Sequence, residues 1–251
     1  MNAKDLVTGV DLLCLDAGNT VIFLDHERLA GILGRSGLEV SASALVRAEG
    51  EAKRLAEDGG LFDAAWSQRS APGAIAWGKM VGTIARCAGL EASRVPSALE
   101  AAWREHVQKN LWCKVPEGLG QALDGVRELG VHVAIISNSE GMLDRLFVTL
   151  GIDGCFDALI DSGRVGVEKP DPAIFRIACE RTGTTLGRSL HLGDTYATDV
   201  VGARNAGMAT ALIDPHGHYE GLYPDVPRVA GAVEVARDIV AARRAAHFTQ
   251  A

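Results

Sequence analysis

The stretch that most constrains this chain is Leu12-Leu13-Cys14-Leu15-Asp16-Ala17-Gly18-Asn19-Thr20. Four apolar residues are too few for a helix and lack helical periodicity. They read as a short strand buried on both faces, as in the middle of a parallel sheet. The strand ends in a carboxylate, Asp16, and in open parallel sheets the carboxyl ends of strands form the ligand crevice. Gly18-Asn19 is a turn signal that can leave backbone N–H groups facing that crevice, where an anion can be held. A single Asp before such a turn more often serves the turn than chemistry, so its meaning depends on partners further along.

The pattern is interrupted at once. From Asp25 the spacing predicts helices over 26–35, 41–57, 71–88 and 97–110, with Ser41 or Ser43 as an N-cap and Gly59-Gly60 as a stop. At Lys114-Val115-Pro116 the character changes back, and strands alternate with helices to the end. Strands are expected at 131–136, 156–161, 189–192 and 209–213, and helices at 119–129, 142–150, 173–182 and 200–206. A basic helix over 233–246 reads as a solvated outer face. The expected organisation is an α/β core from 1–23 and 113–251, with an inserted helical domain over 24–112.

The polar residues that end the core strands are Asp16, Ser137-Asn138 and Gly193-Asp194. Lys169 precedes a helix opened by Pro172, and Asp199 opens the helix after Asp194. His191, inside an apolar strand, reads as a packed core histidine. Trp66, Trp77, Trp103 and Trp112 read mainly as helix-packing residues, with Trp66, Gln68 and Arg69 as an alternative loop group facing a site.

Of the 251 residues, 47% are hydrophobic, which is ample for a real core and excludes general disorder. A net charge of −7 argues against a broad nucleic-acid or anionic-membrane surface. The five scattered cysteines show no zinc or redox spacing and fit reduced thiols in a cytosol. Neither a signal-like N-terminus nor a membrane-spanning run is visible. The expectation is a soluble cytoplasmic protein, monomer or homodimer, without nucleic-acid or membrane partners.

Taken in order, Asp16-Ala17-Gly18-Asn19-Thr20, Ile136-Ser137-Asn138, Glu168-Lys169-Pro170-Asp171-Pro172-Ala173-Ile174-Phe175 and Gly193-Asp194-Thr195-Tyr196-Ala197-Thr198-Asp199 resemble the four motifs of the haloacid dehalogenase superfamily, most of whose members are phosphatases. The resemblance spans about 11–24 and 113–214. It implies a doubly wound parallel-sheet, Rossmann-like core with a helical cap inserted after the first motif. It also implies a Mg²⁺-dependent hydrolase that forms an aspartyl phosphate on Asp16 from a small phosphorylated metabolite. In that reading Asp16, Ser137 and Lys169 are catalytic, and Gly18, Asn19 and Asn138 contact phosphate. Asp16, the Gly18 carbonyl and Asp194 hold the metal, with Asp199 a direct or outer ligand.

One position departs from the family. Its phosphatases carry a second Asp two residues after the nucleophile to protonate the leaving group, and here that position is Gly18. A general acid is typically worth about 10²–10⁴ in rate. Either substrates with good leaving groups are used, or the proton comes from the cap, from Asp25 or from water. The alternatives are a 2-haloacid dehalogenase-like enzyme, a phosphonatase-like enzyme with Lys53 or Lys79 forming a Schiff base, and a catalytically weak ligand- or partner-binding protein. Against the dehalogenase, Asp194 and Asp199 are retained, and Phe175 stands where that branch has an aromatic hydroxyl.

Overall fold

The buried strand is flanked on both sides by parallel partners. The computed structural model describes residues 6–249; Met1–Asp5 and Gln250–Ala251, assigned from sequence to the α/β core, lie outside the described residues. The strands in chain order are β1 (Leu12–Leu15), β2 (Phe23–Leu24), β3 (Trp112–Lys114), β4 (His132–Ser137), β5 (Ala158–Asp161), β6 (Ser189–Gly193), β7 (Ala209–Ile213) and β8 (Arg228–Val229). Six of them form one sheet in the order β5-β4-β1-β6-β7-β8, parallel throughout. Leu13 lies between Val133 and Leu190, and Leu15 between Ile135 and Leu192, which explains the unbroken apolar run.

The strand order runs outward from β1 in both directions, so β1 is the topological switch point where a crevice opens beyond the carboxyl ends. Ser137 ends β4, Asp16 follows β1 and Asp194 follows β6. The topology therefore delivers three polar strand ends to one edge.

The chain divides into two compact units, one of 1–23, 115–215 and 221–251, the other of Leu24–Lys114 with His216–Glu220. The second unit holds α1 (His26–Arg35), α2 (Ala42–Glu57), α3 (Ala74–Cys87) and α4 (Val95–Gln108). Asp25 caps α1 by accepting the Arg28 N–H, and Ser41 caps α2 by accepting the Ala44 N–H. Helix α3 starts at Ala74, three residues later than expected, because Pro72-Gly73 forms a turn with Gly73 in the left-handed region. Helix α4 starts earlier than expected, with Pro96 in its first turn, where a missing N–H is harmless. Leu29, Ile32, Leu33, Leu45, Val81, Ile84 and Leu99 form the core of this unit.

Three tryptophans of that core interlock: the Trp66, Trp77 and Trp103 rings lie 5.0–5.8 Å apart. His106 stacks on Trp103, and its Nδ1 accepts the indole N–H of Trp77 and the backbone N–H of Leu111, each at 3.2 Å. His216–Glu220 packs here too, with Arg54 donating to the His218 carbonyl at 2.7 Å. A Cβ at Gly50 of α2 would come within 2.3 Å of the His218 ring, so the absent side chain there admits the loop.

In the first unit the helices are α5 (Leu119–Arg127), α6 (Leu143–Leu150), α7 (Ser162–Val165), α8 (Pro172–Thr182), α9 (Val201–Ala206) and α10 (Ala232–Thr249). Ile174, Phe175 and Ala178 of α8 pack on Leu12, Cys14, Ala134 and Ile136 of the sheet. Helix α10 corrects an expectation. It packs against α5 and buries Val233, Val235, Ala236 and Ile239, so only its other face is solvated. The basic residues had masked this amphipathic stripe. No helix among the described residues is long and apolar enough to cross a membrane.

Burial, reinforced by the Arg28 charge, pushes the His106 imidazole down to about 4 from an ordinary 6.5. The unfolded chain takes up a proton on His106 in that interval and the folded chain does not. Stability present above pH 6.5 is therefore lost as the pH falls towards 4. The loss is at most about 3 kcal/mol, at roughly 1.36 kcal/mol per pKa unit. All four tryptophans lie in this unit, so denaturant titrations followed by tryptophan fluorescence should show the decline in the wild type and a flatter profile in His106→Asn, which keeps the acceptor.

Candidate active site

Asp16 emerges from β1 with its N–H donated to the Leu192 carbonyl of β6 at 2.8 Å. The chain then turns sharply. The Ala17 carbonyl accepts from Val21 and Ile22, and Asn19 N–H donates to the Ile22 carbonyl at 2.7 Å. The left-handed residue of this turn is Asn19, at φ 52°, not Gly18. Asn tolerates that region better than other side chains because its short amide bonds locally. Here the amide donates to Asp194 Oδ2 at 3.2 Å, so Asn19 serves both the turn and that carboxylate.

Lys169 sits on a loop, yet it is held on both backbone sides. Its N–H donates to Asn138 Oδ1 at 2.7 Å, and its carbonyl accepts from Asn138 Nδ2 at 2.8 Å. Asn138 follows Ser137, which is buried at the end of β4. The loop beyond is ordered by a carboxylate that the sequence reading passed over. Asp161, ending β5 opposite Ser137, accepts the N–H groups of Gly141 and Gly163 at 2.9 and 3.0 Å.

The Lys169 ammonium reaches two carboxylates at once, Asp16 Oδ1 and Asp199 Oδ1, each at 2.6 Å. Asp199 was expected at a helix start. It lies instead within a π turn, Tyr196–Val200, where the wider winding turns its side chain inward. It accepts three hydrogen bonds: from Lys169, from the Thr195 N–H to Oδ2 at 3.0 Å, and from His191 Nε2 to Oδ1 at 3.0 Å. The last is a second correction, since His191 is not merely packed in the core. Its apolar neighbours hid it.

One oxygen of each of Asp16, Asp194 and Asp199 lies within 4.8 Å of the others, and all three residues are buried. Three buried carboxylates converge on a site where Lys169 contacts two of them. Burial pushes Asp16 up to about 7, the Asp199 and Asp194 charges adding to this and Lys169 opposing it. Burial also opposes the charge on Asp199, but Lys169 and the His191 bond outweigh it and hold Asp199 well below the usual range. Lys169, though buried, is held above its ordinary value by the Asp16 and Asp199 charges. Burial pushes His191 down and keeps it neutral, so it adds no positive charge. An all-oxygen set of carboxylates fits a hard divalent cation such as Mg²⁺. The residues present fit the implied metal.

Of the residues singled out in the sequence, Asp16, Asn19, Asn138, Lys169, Asp194 and Asp199 are joined by these bonds or by the carboxylate cluster. Ser137 stands at the adjoining strand end, and Gly18 makes a backbone bridge to Ile22. Asp25, considered as a proton source, belongs to the helical unit, where it caps α1 and pairs with Lys114 at 3.2 Å. Although burial opposes it, the Arg28 N–H and Lys114 hold its carboxyl below the ordinary range, so Asp25 stays ionised. Trp66 is buried in the tryptophan cluster, and Arg69 pairs with Asp63.

The network also depends on a missing side chain. A Cβ on Gly193 would lie 2.1 Å from Asp199 Cγ, a position the tethered carboxylate cannot vacate without losing its partners. Gly193→Ala should therefore release Lys169 from Asp199 and lower turnover by about 10- to 100-fold, as is usual when groups that orient a polar site are lost. Steady-state kinetics beside a thermal melt checks this.

A match to the description haloacid dehalogenase-like hydrolase extends over residues 10–207. The bovine haloacid dehalogenase-like hydrolase domain-containing protein 3 is 28% identical over 214 residues, 80% of this chain and 81% of that one. The match to its mouse counterpart is 31% identical but spans only 55% of each chain. Phosphoserine phosphatase of Thermus thermophilus is 29% identical over 183 residues, 69% of this chain and 70% of that one. Among solved structures, the HAD-hydrolase YfnB from Bacillus subtilis superposes with a TM-score of 0.63 at 16% identity, covering 92% of this chain and 98% of that one, which shows a shared fold. With a parallel sheet whose strand order reverses at β1 and a family match over most of its length, the chain belongs to the haloacid dehalogenase-like hydrolases.

Proposed function

We propose that this hydrolase is a Mg²⁺-dependent phosphatase of small phosphorylated metabolites, working through an aspartyl phosphate on Asp16. The observation that carries the reading is the Lys169 ammonium at 2.6 Å from Asp16, beside two further buried carboxylates. A carboxylate can attack a phosphate ester only if its own charge and the phosphoryl charge are offset. Lys169 supplies one positive charge there. Asp16, Asp194 and the Gly18 carbonyl would hold Mg²⁺, which when bound polarises a phosphoryl oxygen and offsets the remaining charge. Ser137 Oγ and the Asn138 N–H would hold another phosphoryl oxygen, and water would then hydrolyse the acyl phosphate. The relatives named as phosphoserine phosphatase and, from two archaea, as glyceraldehyde 3-phosphate phosphatase support this substrate class. We assign residues 24–112 as the cap, the inserted domain that selects among such substrates.

The dehalogenase reading is weaker. Its aromatic hydroxyl is replaced by Phe175, which is buried edge-on against His191, and the retained Asp194 carboxylate has no part in metal-free chemistry. For the phosphonatase reading, Lys79 pairs with Asp63 at 3.5 Å and Lys53 is buried within the helical unit, so neither is presented as a free amine.

Phosphate release from an activated aryl phosphate and a set of alkyl phosphates, with and without Mg²⁺, tests the proposal. Turnover should require the metal, favour the aryl ester and fall to background in Asp16→Asn. Gly18→Asp should raise turnover of alkyl phosphates by about 100-fold, the lower end of what a general acid is worth. An Asp16→Asn variant with full activity, or a wild type that binds such esters without turning them over, would sink the proposal.

A further inference from the structure

Asp199 is conspicuous for how little of it is left to offer a cation. Oδ1 accepts from Lys169 and His191 and Oδ2 from the Thr195 N–H. Asp194 accepts from the Asn19 amide and, at 3.4 Å, from the Thr195 hydroxyl. The setting of Asp199 originates on β6. His191 and Gly193 are two residues apart, so they share one face of the strand. The absent Gly193 side chain leaves the space that the Asp199 carboxylate fills, and His191 supplies the donor beside it.

The imidazole is fully buried, meets the Phe175 ring edge-on at 5.1 Å, and has Cys14 and Thr210 as register neighbours on the adjoining strands. Its Nδ1 has no hydrogen-bond partner. A carboxylate can only accept, so the shared proton must be on Nε2, and the bare Nδ1 is left as an acceptor. A leucine would fill this apolar slot without an unsatisfied atom. Packing alone therefore does not account for a histidine there, whereas holding Asp199 does.

We propose that His191 is a positioning residue: its Nε2–H fixes Asp199 as the anchor of the Lys169 ammonium and keeps Asp199 out of the inner coordination of the cation. The inference rests on the reading of Asp16 as the attacking carboxylate. With the anchor in place, Lys169 is held on the line between Asp199 and Asp16. Without it, the π turn loses one of three tethers, and the ammonium is free to collapse onto Asp16 or leave it.

The test compares His191→Leu and His191→Gln in the full-length protein, the glutamine placing an amide N–H where Nε2 lies. Thermal melts establish that both fold. His191→Leu should lower kcat on the aryl phosphate by about 10- to 100-fold, with KM unchanged. Its Mg²⁺ affinity, measured by calorimetry without substrate, should not weaken, and His191→Gln should recover most of the lost kcat. A kcat loss matched by weakened Mg²⁺ binding would show Asp199 to be a ligand and overturn the proposal. So would an unchanged kcat in His191→Leu, or a folded His191→Gln as impaired as the leucine variant. The readout independent of turnover is ¹⁵N NMR of histidine-labelled, metal-free wild type. It should show His191 as the Nε2–H tautomer, with its resonance displaced in Asp199→Asn. The Nδ1–H tautomer overturns the proposal even if neither variant folds. Should the wild type release no phosphate from any ester, the phosphatase reading fails, and these imidazole signals alone decide for or against the positioning bond.

Discussion

The site depends on one buried ammonium shared by two carboxylates. Lys169 lies between Asp16 and Asp199, only 3% exposed, where an unpaired charge would be prohibitively costly. Buried pairs contribute little net stability because desolvation offsets their attraction, but removing one partner strands the other. The arrangement is therefore all-or-none. Strand β1 has to end at Asp16, the loop carrying Lys169 has to be clamped by Asn138, and the turn carrying Asp199 has to wind wide enough to face inward. Each requirement is local, and the parallel sheet brings them to one edge.

That edge exists because the strand order reverses at β1. Partners β4 and β6 leave β1 on opposite sides, so their crossover helices cannot both cover its carboxyl end. The polar residues there avoid the usual penalty by bonding to one another. Asp161 accepts the N–H groups of Gly141 and Gly163, Asn138 accepts the Lys169 N–H and donates to the Lys169 carbonyl, and Asp199 accepts from Lys169, His191 and Thr195. The core beneath is apolar, with Ile174, Phe175 and Ala178 of α8 on Leu12, Cys14 and Ile136, so the polar layer lies on a packed floor.

Much of this was legible in the sequence because it is written in short-range signals. The apolar run before Asp16, the Pro172 helix start and the Ser41 cap each have a local physical cause, and each fell within a residue or two of its expected place. What was not legible depends on tertiary partners. A histidine between leucines gives no sign that its ring nitrogen meets Asp199 across eight residues. The burial of α10 was hidden because arginines flank its apolar stripe. The loop His216–Glu220 carries no pattern that assigns it to the helical unit, and its place there turns on the single missing side chain of Gly50. The π turn is a further case, since one extra residue in a helical turn leaves no mark on composition.

The same network bears on the absent second acid. A proton donor at neutral pH must have its pKa raised, and among the described acids Asp16 is the one clearly raised. Asp199 and Asp25 are held down by their partners, and Asp161 is committed to backbone N–H groups. Lys169 is held too firmly as an ammonium by its two carboxylates to release a proton. With Gly18 in the first motif, the proposed phosphatase would use the electrostatics of the α/β unit to offset phosphoryl charge and would leave the departing oxygen without an acid from that motif. On that proposal such a site would discriminate by leaving group. An acyl or aryl oxygen departs as a stable anion, whereas an alkoxide needs its proton from water or from a group on the substrate itself.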